Sequence, residues 1–311
     1  MDTRRLLAFV KIVDTGSVSR AADLLNIAQP AVSQQLAALE AYFQQTLVLR
    51  TQQGVVPTEA GRALYRHAQS IVRQMEHART DVTRFGRELS GRVSVGLAPY
   101  AAGSTLSLAL LRAVREQHPG ILLHINQSFG EVYSELVMTA RLDLAIIHGA
   151  GPLKGVRFQP LFVEAFYLVV AEAMRLPESG GAIPIASLAT VPLLLPPSYN
   201  FVRKAVELAF SRSRSTLQLA AEIESIDGLS EAVADGIGAT ILPWSVANQV
   251  AVPGRSVIQA IATPLIEDTV SLCTSDYLPL SGPAEAVHEI LYGLASEIAA
   301  SSGWPGVRAV G

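Results

Sequence analysis

The chain has 311 residues, half of them hydrophobic, with 24 Lys and Arg against 27 Asp and Glu. That is enough apolar material for two or three cores, while the single cysteine, Cys273, excludes an intrachain disulfide and fits a reducing, cytoplasmic setting. Arg4 and Arg5 precede only five apolar residues before Lys11, and no run approaches the ~18 apolar residues of a membrane span, so neither export nor a membrane partner is expected.

The net charge of −3 is unevenly spread. Residues 1–90 carry 11 Lys and Arg against 8 Asp and Glu, and residues 91–311 carry 13 against 19. A weakly basic N-terminal part suits a polyanion. Arg4, Arg5, Lys11, Arg20 and Arg50 nevertheless offer few anion contacts per chain, so several chains would have to share one polyanion.

In chain order, Ser17 is placed to cap a helix with inward residues Ala21, Ala22, Leu24 and Leu25, and Asn26 to end it within two turns. Pro30 then falls in the first turn of a second helix, where its missing N–H costs nothing. Val32, Leu36, Leu39 and Phe43 mark that helix's buried stripe, leaving Gln29, Ser33 and Gln34 on a small polar face. A Gln amide pairs bidentately with adenine and Ser serves several bases, so the pair suits a helix-turn-helix in a major groove. An ordinary amphipathic helix pair is the plain alternative.

Leu47 to Leu49 and Val55–Val56 flank Arg50-Thr51-Gln52-Gln53-Gly54, the pattern of a short hairpin, or wing, with Gly54 near its tip. Thr58 is placed to cap the next helix, with Glu59 favourable at its positive end. Within it Leu64, Ala68, Ile71, Met75, Ala78, Val82, Phe85 and Leu89 alternate at spacings of four and three, an unbroken coiled-coil seam. Such a helix of about 30 residues is roughly 45 Å long. It outruns what so small an N-terminal domain can cover, and a second copy of the chain is the expected partner.

After Leu89-Ser90-Gly91 the pattern becomes α/β. Buried strands are expected at 93–97, 122–125, 142–147, 166–170, 193–195, 219–223, 240–242 and 270–274, mainly in parallel pairing, with helices at 104–117, 132–140, 201–211, 226–235 and 283–300. Asp235-Gly236-Ile237-Gly238 follows a helix and lacks a third glycine, so it is a helix stop rather than a dinucleotide loop. No Gly-x-Ser-x-Gly, His-Glu-x-x-His or cysteine pair occurs, the six His are scattered, and Glu222 and Glu224 suit a solvated strand edge. No enzyme, cofactor or metal is expected. A bare solute-binding module would leave residues 1–90 without a role.

The run SxxxAAxxLxxxQPAVSxQLxxLE from Ser17, followed by Arg50, Gly54 and Pro57-Thr58-Glu59-Ala60-Gly61, resembles the LysR-type transcriptional regulators, and the likeness covers nearly the whole chain. Within that family, Ile27 to Val32, Thr51 to Gly61, Leu89 to Pro99 and Glu222 to Ile226 are most similar to the nitrogen assimilation control branch. The resemblance implies an all-α winged helix-turn-helix domain at 1–58, a dimerising linker helix at 59–89 and a two-lobed Rossmann-like regulatory domain at 90–311. Its first lobe would hold about 90–161 and 265–300, and its second about 162–264.

DNA contacts are then expected from Arg4, Arg20, Gln29, Pro30, Ala31, Ser33, Gln34, Arg50, Gln53 and Thr58, with promoter DNA, a second copy of the chain and RNA polymerase as partners. A small-molecule effector, where the branch uses one, would lie between the lobes at loops where helix N-termini face an anion, lined by Tyr100, Ala101, Ser104, Ser128, His148, Ser198, Tyr199 and Ser225. Several positions depart from the family pattern. Gln52 and Gln53 replace basic wing residues, Phe43-Gln44 stands where Leu-Gly is usual, Ala101 replaces a hydroxyl, and Ala28 replaces a capping Ser at a cost of about 1 kcal/mol.

Overall fold

The computed structural model describes residues 2–52, 54–83, 88–100, 102–127, 130–149, 151–262, 264–301 and 303–310. It divides into two compact units, Met1–Arg87 with Met138–Arg141, and Glu88–Val137 with Leu142–Gly311.

The first unit contains α1 (Thr3–Thr15), α2 (Val18–Leu25), α3 (Gln29–Phe43), a hairpin of β1 (Val48–Thr51) and β2 (Gly54–Pro57), and α4 (Glu59–Thr83). Asp2 caps α1 by accepting from the Arg4 amide, and Ser17 caps α2 by accepting from that of Arg20. Ala28 supplies no side-chain cap to α3, whose first turn holds Pro30 instead. Asn26 and Gln44 end α2 and α3 in left-handed conformation, at φ 53° and 51°. Gln44 thus does the work of the expected Gly, at about 1 kcal/mol of strain.

Leu6, Phe9, Ile12, Ala21, Val32, Leu39 and Leu47 form the core. Two residues assigned inward by spacing lie outside it: Leu24 is 62% exposed and Phe43 is 37% exposed, its ring edge-on to Tyr42. Short helices at a tight turn have too few inward positions to bury every apolar residue at the right spacing.

The wing is pinned at both ends. The Val55 amide donates to the Gly16 carbonyl at 2.8 Å, and a Cβ on Gly54, at φ 127°, would sit 2.6 Å from that carbonyl. The Thr58 hydroxyl accepts from the Gly61 amide and donates to the Thr46 carbonyl, joining the cap of α4 to the base of the wing.

Along α4 the seam divides. Ala68 is fully buried and Leu64 half-buried against the N-terminal core, beside Tyr65, whose hydroxyl donates to the Asp14 carboxylate. These two positions are therefore covered by their own chain rather than by a partner. Ile71, Met75, Ala78 and Val82 stay exposed, Val82 to 79%. Phe85 lies outside the described residues. Leu89 follows the helix and packs in the second unit's core, so it does not extend the seam.

The second unit runs β3 (Ser90–Leu97), α5 (Ala102–Gln117), β4 (Gly120–Asn126), α6 (Gly130–Met138), β5 (Leu144–His148), β6 (Val156–Ala171), β7 (Ile183–Pro184), β8 (Leu193–Leu195), α7 (Phe201–Arg212), β9 (Leu219–Glu222), α8 (Ile226–Ala234), β10 (Thr240–Pro243), α9 (Trp244–Val250), β11 (Ser256–Ala262), β12 (Glu267–Ser275), α10 (Gly282–Ala300) and β13 (Val307–Ala309). The main sheet has the order β4-β3-β5-β12-β6-β11-β7, with β10 and β13 also on β6, and β8 pairs β9 separately. The first part of β6, residues 156–165, lies against β12, and residues 166–171 lie against β10 and β11. β6 thus carries the chain from one lobe to the other, and β11 followed by β12 brings it back.

Every pairing of β6, and that of β5 with β12, is antiparallel. The sheet is mixed, where mainly parallel pairing was expected. Gln159, Pro160 and Glu164 interrupt the hydrophobic run of β6, so only its apolar end was visible by pattern. One core gathers Val95, Leu97, Leu110, Ile146, Phe162, Leu272 and Leu291, and the other Leu193, Leu194, Leu195, Val202, Phe210, Leu229 and Ile241.

Candidate nucleic-acid interface and inter-lobe cleft

On α3, Gln29, Pro30 and Gln34 are exposed and Ala31 and Ser33 half-buried. The Gln29 amide donates to the Ser33 hydroxyl at 2.8 Å, one helical turn on, so the two present a joined polar pair. A depression of about 290 Å³ brings Arg4 and Arg5 of α1 beside Ala31, Gln34 and Gln35 of α3. Arg20 is exposed in the first turn of α2 and Arg50 is exposed near the end of β1, towards the wing tip, whereas Gln53 lies outside the described residues. Thr58 is the exception among the expected contacts, because its hydroxyl is already committed to Thr46 and Gly61.

A residue with no assigned task holds this surface together. Glu40 Oε1 accepts from the amides of Leu47 at 2.8 Å and Val48 at 3.4 Å, fixing the first wing strand to the end of α3. The final Glu of the quoted motif was its only signal.

In the second unit a cleft of about 250 Å³ opens between the lobes, with a largely apolar wall of Ala98, Pro99, Tyr100, Ile147, Phe158 and Phe201 and the polar groups Ser134, His148, Tyr199, Asn200 and Lys204. Two contacts cross it. Tyr100 donates its hydroxyl to the Ile223 carbonyl at 3.0 Å, and the His148 ring stacks on Phe201 with centroids 3.8 Å apart and planes 12° from parallel. Burial raises the Tyr100 phenol above its ordinary range, so the hydroxyl keeps its proton.

Tyr100, His148 and Tyr199 therefore converge as expected of a cleft lining. Ser198 is exposed and lies outside it, and the Ser225 hydroxyl is used to cap α8 by accepting from the Gly228 amide at 3.2 Å. Both are withdrawn from the lining, Ser198 by its position and Ser225 because a hydroxyl at a helix N-cap is claimed first by the helix's own amides. Ala101, Ser128 and the Ser104 side chain lie outside the described residues. Phe158, Phe201 and Lys204 were missed, because apolar walls and a single lysine carry no motif.

Cys273 is buried, with its thiol pushed up to about 12 by burial, a poor nucleophile. Among the described residues no group of His, Cys, Asp and Glu is arranged for a metal ion, and no helix is long and apolar enough to cross a membrane.

Comparison with known proteins gives this geometry a family. Residues 3–62 match the bacterial regulatory helix-turn-helix protein model of the LysR family, and residues 86–295 match the LysR substrate binding domain. The chain is 41% identical to the nitrogen assimilation regulatory protein of Klebsiella aerogenes over 95% of its own length and 96% of the relative's, and 40% identical to that of Escherichia coli K12 over the same shares. Its fold is similar to a full-length OxyR variant from Pseudomonas aeruginosa, with TM-score 0.76, 23% identity and coverage of 95% and 98%. It is also similar to full-length CbnR solved with its target DNA, with TM-score 0.67, 20% identity and coverage of 96% and 99%. The chain belongs to the LysR family of bacterial helix-turn-helix transcriptional regulators.

Proposed function

We propose that the chain reads promoter DNA as a symmetric dimer or tetramer, with α3 in the major groove. The observation that carries this is the joined Gln29–Ser33 pair standing exposed on α3, with Arg4 and Arg5 beside Gln34 to hold phosphates. Arg20, Pro30, Ala31 and Arg50 complete the contact surface, with Gln53 assigned to it from sequence alone. Residues 1–58 form the DNA-reading domain, 59–89 the linker and 90–311 the regulatory domain. Pairing rests on Ile71, Met75, Ala78 and Val82, the exposed part of the seam.

The names of the relatives, nitrogen assimilation regulatory proteins, support control of nitrogen metabolism genes. With that reading go a cytoplasmic location, RNA polymerase as a partner and no enzymatic activity. A small effector would enter the cleft beside Tyr100, His148 and Tyr199. The Tyr100–Ile223 and His148–Phe201 contacts, which join the two cleft walls directly, favour a second reading in which the lobes hold their arrangement without needing an effector.

Replacing Gln29 by Ala tests the central claim. A bidentate base contact is worth about 1–3 kcal/mol, so discrimination between promoter and random DNA should fall about tenfold or more. Unchanged discrimination refutes the placement of α3. Mapping bound genomic sites with and without nitrogen limitation tests the regulon.

A further inference from the structure

Three titratable side chains meet where the crossover strands join the lobes. His148 ends β5, and Glu164 and Asp268 face each other across the β6–β12 ladder. The side chains of His148 and Glu164 are 1% and 0% exposed, and that of Asp268 is 31% exposed. His148 Nε2 lies 3.4 Å from Glu164 Oε1, and Nδ1 lies 3.7 Å from Asp268 Oδ2. Neither ring nitrogen, nor Glu164 Oε1, has a hydrogen-bond partner.

Both lobes reach this cluster. Ser245 of α9 donates its hydroxyl to Glu164 Oε2 at 3.0 Å, and the backbone amides of Ser245 and of Ala102, which opens α5, also face Glu164. Phe201, the first residue of α7, covers the His148 ring, and Lys204 on the same helix is the cation of the cleft wall.

Counting hydrogens exposes a mismatch. Each of the two His–carboxylate contacts needs one hydrogen between its heavy atoms, and a neutral imidazole has a single N–H. With both carboxylates ionised, either tautomer leaves a ring lone pair pointing at a negative oxygen, an unfavourable buried contact. One further proton removes the conflict, with Glu164 O–H donating to Nε2 and Nδ1–H donating to Asp268.

We propose that His148, Glu164 and Asp268 form a proton-gated hinge. A proton taken up from water completes a hydrogen-bond chain from Ser245 of the second lobe through Glu164 and His148 to Asp268, and its release to water breaks the chain and loosens the Phe201 stack. The energetics favour the carboxyl as its carrier. Burial raises Glu164 to about 7, against the Ser245 and Ala102 donors that lower it, and the charge of Asp268 adds to the rise, while burial lowers His148 to about 3.

The two shifts act on stability with opposite signs. Glu164, raised from 4.5 to about 7, contributes stability that is lost as pH climbs through that window, whereas His148, lowered from 6.5 to about 3, gives stability that is lost as pH falls through its own. A wild-type melting profile would partly cancel them. Glu164→Gln keeps the shape and a donor for Nε2, and it removes only the first.

The test titrates the full-length protein by infrared spectroscopy from about pH 5 to about pH 8. The expected result is a neutral carboxylic-acid band that disappears with a midpoint near 7 and is absent from Glu164→Gln. The folded-to-unfolded ratio of that variant, relative to wild type, should rise about tenfold or more across the range. Emission from Trp244, next to Ser245 and 5.1 Å from the Tyr167 ring, should shift with the same midpoint in a Trp304→Phe background. Asp268→Asn, by removing the like charge, should lower the midpoint of the band even if Glu164→Gln fails to fold. A band that titrates with ordinary carboxylates, an indifferent Asp268→Asn, or constant Trp244 emission overturns the proposal.

Discussion

Removing the Glu40 carboxylate by Glu40→Ala should release the wing from α3. The Leu47 and Val48 amides that Glu40 Oε1 accepts belong to residues only 1% and 8% exposed, so water replaces the lost acceptor poorly. The 2.8 Å bond is charge-assisted and worth about 1.5–3 kcal/mol, and the longer one adds less. We expect a loss of about 2–3 kcal/mol, or roughly 10 °C in melting temperature for a unit of this size. Glu40→Gln keeps the carbonyl acceptor without the charge and should lose about 1 kcal/mol. Denaturant unfolding measures the totals, and amide exchange at Leu47 and Val48 shows whether the damage is local. A loss below about 0.5 kcal/mol, or unchanged exchange at those amides, would refute the account of how the wing is held.

Two further substitutions probe the same unit. In Gly61→Ala the new Cβ would lie 1.9 Å from the Leu47 carbonyl, a backbone atom that can yield only by moving the wing base. The expected loss is about 3 kcal/mol or more by chemical denaturation, and a wild-type profile would mean that helix and wing slide freely past each other. Ile71→Glu combined with Met75→Glu places charge on the exposed half of the seam and should yield monomers in light scattering at concentrations where the parent chain is dimeric. Persistent dimers would move the interface elsewhere.

What was legible in the sequence is what local chemistry decides. Ser17, Asn26, Pro30, Gly54 and Thr58 were readable because caps, turn conformations and first-turn prolines depend on a few neighbouring atoms. The Gly236 turn after α8 followed for the same reason, its amide bonded back to Val233 and that of Ile237 to Ala232. Burial was less legible, because spacing shows that a residue has an apolar side and not what covers it. Leu64, Ala68 and Met75 share one periodicity, yet the first two are roofed by the N-terminal core and the last is bare.

The cleft was the least legible part. Its walls come from chain segments far apart in sequence, and Ser198 and Ser225 had the right chemistry but lay outside the lining or were already claimed by a helix. Glu164 went unnoticed because a lone carboxylate inside a strand looks like an interruption until the fold surrounds it.

The division of α4 makes that helix a protractor as well as a tether. Its early turns are built into the domain that carries α3, and its later turns leave Ile71 and Met75 free for a second chain. The few residues between Ala68 and Ile71 therefore fix, at about 100° per residue, the angle at which the reading surface stands to any dimer axis. Operator spacing would then be recorded in helical phase, in a stretch of sequence that need never approach a base.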